Sequence, residues 1–130
     1  MRCSLMKNQD FFTNYELGYD HIQKGSLDIV VPYAIELCNL YGFGVQCKRK
    51  YYCLEKFAIA GCDAMYGYKR KHNRQYRKYF TRLGIDVSEC DMHHGLDGKM
   101  YAVPRKIHRA VPHFGFVAYI KRANLVSCWY

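Results

Sequence analysis

Between Cys90 and His113 the sequence leaves the backbone few choices. The pair Asp97-Gly98 stands between two short segments, Cys90 to His94 and Met100 to Val103. Such a pair between strand-like runs signals a two-residue hairpin turn, because aspartate and glycine tolerate the positive φ that the turn needs. Pro104 comes next. Its missing N–H costs nothing at a first helical position, so it opens a helix of about two turns through Ala110, which Pro112 closes. Two strands running directly into a short helix are expected, and the rest of the chain has to pack around them.

Upstream the expectation is helical. Phe12, Tyr15 and Tyr19 fall at helical spacing before Gly25 and Ser26 interrupt. A second helix follows, with Pro32 near its start and Ile35, Leu37, Cys38 and Leu40 as apolar contacts, until Gly42 and Gly44 end it. The stretch from Tyr51 to Met65 has only Glu55, Lys56 and Asp63 charged and reads as a buried helix. From Lys69 to Arg82 the pattern is amphipathic: Tyr76, Tyr79, Phe80 and Leu83 form an inward face, cations take the other positions, and Gly84 stops the helix. The apolar tail from Phe114 to Tyr130 suits helix or strand. The fold class expected is α+β, in a single domain over residues 1–130: a mostly helical, basic portion over residues 1–85, then the hairpin and short helix.

Composition narrows the function classes. Half of the 130 residues are hydrophobic and 24% are charged, the balance of a globular chain. No apolar run has the length of a membrane span, and Lys7, Asp10, Glu16 and Asp20 are unlike a signal peptide, so no membrane partner and a cytoplasmic setting are expected. The seven cysteines are odd in number and include no C-x-x-C, which favours reduced thiols. A structural zinc on Cys47, Cys53 and Cys62 stays open, although their spacing matches no common knuckle.

The net charge of +9 is concentrated: residues 1–47 carry −2, residues 48–82 carry +9 and residues 83–130 carry +2. Seven cations lie within residues 69–82, among them Arg70, Arg74, Arg77 and Lys78. Such a face is either merely solvated or a phosphate-contacting surface, since neutralising phosphates gives sequence-independent affinity for nucleic acid. Tyr51, Tyr52, Tyr66 and Tyr68 would stack on bases only if exposed.

Four of the six histidines, His93, His94, His108 and His113, fall within 21 residues. Imidazole is both a common metal ligand and the side chain most easily used as a base near neutral pH. His93 and His94 are adjacent in a strand, so they leave opposite faces and should have different tasks. Pro112 ends the helix of His108 and lets the chain curl His113 back toward it, so one strand histidine with these two makes a three-nitrogen metal site with open positions. Asp91 is either an orienter or ligand at that site or a turn residue.

The run D-M-H-H-G-L-D-G-K-M-Y-A-V-P-R-K-I-H-R-A-V-P-H-F-G, Asp91 to Gly115, resembles the HNH/endonuclease VII nuclease superfamily. It is similar in particular to the Trp-His-His toxin nucleases of bacterial polymorphic toxins. The likeness covers residues 88–116 and rests on the histidine pair, the Asp97-Gly98 turn, Ala102-Val103-Pro104, His108, and Val111-Pro112-His113-Phe114-Gly115. Met92 stands in place of the tryptophan, Gly95 in place of a frequent third histidine, and no asparagine occupies the second strand.

The resemblance implies a C-terminal ββα-metal (His-Me finger) nuclease motif and metal-dependent hydrolysis of phosphodiesters, DNA slightly ahead of RNA. It implies His94 as general base and His93, His108 and His113 as ligands of one divalent ion, Zn²⁺, Mg²⁺, Mn²⁺ or Ni²⁺. Arg105 and Arg109, one turn apart on the short helix, become candidate clamps for backbone phosphates beside Arg70, Arg74, Arg77 and Lys78. A toxin would act in a target cell and have a cognate immunity or inhibitor protein; a phage or mobile-element nuclease would look the same. Two other classes stay open: a non-catalytic nucleic-acid-binding protein with a structural zinc site, and a small interaction protein whose basic helix meets an acidic partner.

Overall fold

The N-terminal part of the chain forms a β-hairpin. In the computed structural model, which describes residues 16–40 and 49–122, strands β1 (Leu17–Lys24) and β2 (Leu27–Ala34) pair antiparallel from Leu17↔Ala34 to Lys24↔Leu27 around Gly25-Ser26. The helix expected through Tyr19 is therefore corrected to strand. Phe12 and Tyr15, the other members of that spacing, lie outside the described residues. Gly-Ser is a two-residue hairpin connection, and the β-branched run Ile29-Val30-Val31 after it favours a pleated surface over a helix. Pro32 sits within β2, and helix α1 spans Ile35–Leu40.

Residues 51–65 are not a helix either. Tyr51, Tyr52, Cys53 and Leu54 are consecutively buried, as in the buried helix expected, but without its hydrogen bonds. Their backbone goes to an existing strand instead: Ala34 donates its N–H to Tyr51 O at 3.0 Å, and Cys53 donates to Pro32 O at 2.8 Å. A single 3-10 turn, Leu54–Phe57, follows, and then strand β3 (Ala60–Cys62). Tertiary pairing has overridden an apolar, Ala-containing run that reads as helix in isolation.

The second sheet has the order β3-β5-β4, with β4 at Cys90–His94 and β5 at Met100–Pro104. The β4–β5 register runs from Cys90↔Pro104 to His94↔Met100. The turn differs from the two-residue form. Gly95 donates to Lys99 O at 2.8 Å and Gly98 donates to Gly95 O at 3.0 Å, with Gly98 at φ +81°. That is a three-residue loop, Leu96 to Gly98, whose last residue takes the left-handed conformation. Asp97 fastens it by accepting from Lys99 N at 2.9 Å and from the Tyr101 hydroxyl. Pro104 caps helix α3 (Arg105–Ala110), and after Pro112 and His113 the chain enters helix α4 (Phe116–Arg122).

Helix α2 (Asn73–Arg82), preceded by a 3-10 turn at Arg70–His72, buries Tyr76 and Phe80 against Cys90, Met92, Met100 and Ala102 of the sheet. Leu83, expected on that inward face, is 59% exposed at the end of the helix. A further apolar cluster joins Tyr51, Leu96, Phe116 and Ile120 beneath the hairpin loop. The result is a mixed α+β fold with small antiparallel sheets and short helices, and the helical content expected of residues 1–85 is confined to α1, α2 and two 3-10 turns among the described residues. No helix of the described residues is long and apolar enough to cross a membrane.

A Cβ on Gly98 would meet only ordinary contacts, 3.6 Å from Phe116 and 3.7 Å from Tyr68. Gly98→Ala should therefore cost about 1 kcal/mol from backbone conformation alone. A urea titration checks this; an unchanged midpoint would mean that the loop relaxes out of the left-handed form.

Candidate metal centre and catalytic histidine

Alternation along β4 sets the site. Asp91 and His93 share one face, Cys90, Met92 and His94 the other. Helix α3 crosses the first face and carries His108 to it. His113 arrives from the segment after α3, where Val111 is extended, Lys50 and His113 form a parallel bridge, and Phe114 donates to Lys50 O at 2.8 Å. One ring nitrogen from each of His93, His108 and His113 lies within 4.8 Å of the others. Their ring centroids are 4.8 to 5.3 Å apart.

Two of the three rings are held by one nitrogen. The Asp91 carboxylate can only accept, so His108 donates its Nδ1–H to it, at 3.1 Å. His113 donates Nδ1–H to Val111 O at 2.7 Å. Each keeps the Nε2 lone pair for another partner, the tautomer that a ligating imidazole needs. Burial pushes His93 down from the ordinary 6.5 to about 3 and His113 to about 4. His108 is lowered by burial too, against the opposing pull of Asp91. All three are neutral and ligand-competent at pH 7, so the donor set fits a divalent cation.

Asp91 is an orienter rather than a turn residue. It accepts from Arg105 Nε at 3.2 Å and Arg109 Nε at 3.1 Å as well as from His108. Burial opposes its charge, but the hydrogen bonds from Arg109, Arg105 and His108 outweigh that and hold its carboxyl below the usual range. Arg105 also donates to Ser88 O and Cys90 O. The two arginines read as phosphate clamps from sequence are thus engaged with this carboxylate, Arg109 remaining 68% exposed.

His94, on the opposite face, packs its ring 5.4 Å from that of Tyr68 and donates a hydrogen bond to the Gly67 backbone. Its Nε2 is shielded and has no partner. Burial lowers it to about 4. Gly67 has φ +103°, and a Cβ there would come within 2.9 Å of the His72 ring, so only glycine lets this loop lie against both histidines.

Although His94 and the three clustered histidines leave β4 on opposite faces, β4 is an edge strand, and one cleft wraps around that edge. The cleft, about 1040 Å³, is lined by His94, His108, His113 and Asp91 together with Arg49, Lys69, Arg70, Arg77, Arg109 and Lys121. Six cations stand against one carboxylate, so the cleft carries a net positive charge.

Of the six cations read as nucleic-acid contacts, Arg70, Arg77 and Arg109 reach this cleft, and Arg105 lines a different one. Arg74 and Lys78 line a separate shallow groove along α2 with Arg77, Thr81 and Arg82. Arg77 is committed structurally, donating to Val87 O at 3.2 Å and to Cys90 O at 2.6 Å. Tyr51, Tyr52 and Tyr68 are buried and cannot stack on bases. Of the zinc alternative, Cys47 lies outside the described residues, and Cys53 and Cys62 form no disulfide among the described residues.

Sequence reasoning missed Glu55. The 3-10 turn brings its Oε2 to 3.7 Å from His93 Nε2. Burial raises this carboxyl to about 7, in spite of hydrogen bonds from its own backbone and from that of Leu96. No local pattern singled it out, since it is one of three charged residues, with Lys56 and Asp63, in a largely apolar run. Compared with protein-family models, with curated proteins and with solved structures, the chain matches none.

The buried imidazoles set an acid response. His93, His94 and His113 stay neutral in the fold down to about pH 4 or below, whereas in the unfolded chain they take up protons near pH 6.5. Unfolding therefore binds protons, and in chelator the stability should fall as pH drops from 6.5 toward 4, by up to about 1.4 kcal/mol per pH unit for each ring. Glu55 acts in the opposite sense between its unfolded value and about 7, and offsets roughly one ring. Urea midpoints at pH 7, 6 and 5 test this; a flat profile would show the rings to be solvated.

Proposed function

We propose that this chain is a metal-dependent endonuclease that hydrolyses phosphodiester bonds in nucleic acid. In this reading β4, β5 and α3 form a ββα-metal finger of the HNH/endonuclease VII kind, as the resemblance of Asp91 to Gly115 implies. The observation that carries it is the convergence of three neutral imidazoles, two of which, His108 and His113, line together with His94 a cleft whose remaining charge is mainly cationic.

His93, His108 and His113 would hold one divalent ion. Three nitrogens suit Zn²⁺ or Ni²⁺, while phosphodiester chemistry also takes Mg²⁺ or Mn²⁺. When bound, such an ion supplies a Lewis acid for the scissile phosphate and its leaving oxygen. In this reading His94 is the general base: neutral at pH 7, it would take the proton of the attacking water on Nε2 once substrate entry uncovers that shielded nitrogen, and a phosphodiester beside it would raise its basicity from the low value that burial imposes. Lys69 and Arg70 neutralise flanking phosphates, and Asp91 keeps His108 in the ligating tautomer. DNA ranks ahead of RNA on the resemblance alone, as do the toxin or mobile-element setting and an inhibitor partner. A closed structural zinc site would need four ligands, and among the described residues three converge.

Purified protein should nick plasmid DNA in a chelator-sensitive way. His94→Ala should keep metal and fold yet lose 10²- to 10⁴-fold in rate, roughly the worth of a general base, while His108→Ala should lose metal first. Calorimetry, metal analysis and cleavage on the same samples separate the two. Wild-type cleavage by His94→Ala, or no specific divalent site in the wild type, would sink the proposal.

The cleft cations should show themselves in salt dependence. For B-DNA, replacing both Lys69 and Arg70 by Gln should reduce the slope of log affinity against log salt by about 1.8, near 0.9 per lost phosphate contact. If binding to an uncleaved duplex keeps its slope in that double variant, these cations do not contact the backbone.

A further inference from the structure

Two buried polar atoms face each other at the base of the site, and neither has a partner: Oε2 of Glu55 and Nε2 of His93, 3.7 Å apart. Glu55 comes from the 3-10 turn Leu54–Phe57, well outside the hairpin and helix that carry the histidines. The carboxylate is itself held, by the backbone of Leu96 in the hairpin loop and by its own. That leaves Oε2 as an acceptor with nothing to accept. His93 is 3% exposed, so water does not easily serve its Nε2, and a buried imidazole nitrogen that cannot reach water must either donate or accept.

We infer that Glu55 is the positioning residue of His93: Oε2 accepts the His93 Nε2–H and fixes the ring with its other nitrogen toward the divalent ion. This rests on the reading of the three imidazoles as metal ligands. It completes a pattern already present in the other two, where His108 donates to the Asp91 carboxylate and His113 to the Val111 carbonyl. Each ring would then have one nitrogen tied to a protein acceptor, which sets tautomer and orientation and raises the basicity of the other. The gap exceeds an ordinary N–H···O separation by less than about 1 Å, a distance that a change in the Glu55 side-chain torsions covers. Since the same carboxylate is bonded to Leu96, Glu55 also couples the conformation of the hairpin loop to that of His93.

The test compares the full chain with Glu55→Gln, which keeps a carbonyl acceptor, and Glu55→Met, which keeps the volume and removes the acceptor. His108→Ala serves as the reference for a lost ligand. The readouts are Zn²⁺ affinity by chelator competition, the absorption spectrum of the Co²⁺-loaded protein, and the melting temperature in chelator. Glu55→Met should lose roughly 10- to 100-fold in affinity and shift the Co²⁺ bands, and Glu55→Gln should lose less. A simple packing role would move the melting temperature and leave the Co²⁺ spectrum of the folded protein alone. Should Glu55→Met not fold, the Gln variant decides, since its Co²⁺ bands must still differ from wild type. Wild-type affinity and spectrum in the folded variants would overturn the inference while leaving the metal site standing. A loss in Glu55→Gln as large as in His108→Ala would overturn it too, by making Glu55 a ligand. A wild-type chain that binds neither Zn²⁺ nor Co²⁺ would overturn the metal reading itself and this inference with it.

Discussion

The partly buried carboxylate of Asp91 ties the site together. It stands on β4 two residues before His93, and three donors of α3, on Arg105, His108 and Arg109, close on it. Without a counter-charge this carboxylate would be costly to bury; with three donors it anchors the helix across one face of the strand. The same contact decides which way the His108 ring presents its lone pair. Packing of the helix and chemistry of the imidazole therefore hang on one side chain, and Asp91→Ala would be expected to disturb both, leaving two guanidiniums without their partner.

Charge in the molecule is layered. The imidazoles nearest the core are neutral because burial makes their protonation expensive. Five of the cleft cations, Arg49, Lys69, Arg70, Arg109 and Lys121, are exposed along its rim. An anion entering the cleft meets fixed positive charge first and neutral nitrogen donors afterwards. Neutral imidazoles would also spare a cation held among them the repulsion that protonated rings exert.

How much of this could be read from the sequence depends on whether the controlling interaction was local. The strands at Cys90 to His94 and Met100 to Val103, the helix from Pro104 to Ala110 and the helix reaching Arg82 were legible because turn residues, prolines and period are written within a few positions of one another. The N-terminal hairpin was missed because aromatic residues at helical spacing competed with Gly25-Ser26 and a β-branched run, and the latter won once β2 found Tyr51 to Cys53 as a partner. Residues 51–65 were misread for the same reason: their backbone partners lie in β2 and β5, far away in sequence. Within the site, spacing grouped one histidine of the β4 pair with His108 and His113, and the choice of His93 over His94 came only from the resemblance of Asp91 to Gly115. Glu55 was invisible, since no local pattern marks a residue whose role is to face another element. The engagement of Arg77, Arg105 and Arg109 with carbonyls and a carboxylate was equally out of reach, because a count of cations does not show where each one points.

The backbone bridge between Lys50 and His113 has a thermodynamic consequence. The segment that carries Lys50 is also bonded to β2 through Tyr51 and Cys53, and Lys50 is held beneath the N-terminal hairpin by Asp20 at 3.1 Å and by the face of Tyr33. The hairpin and one imidazole of the cluster thus belong to a single cooperative unit. A ligand that binds His113 in the folded state therefore stabilises β1 and β2 as well, some distance from the cleft. Amide hydrogens of the hairpin should therefore exchange more slowly when the histidines are occupied, and a destabilised hairpin should report itself as a weaker site.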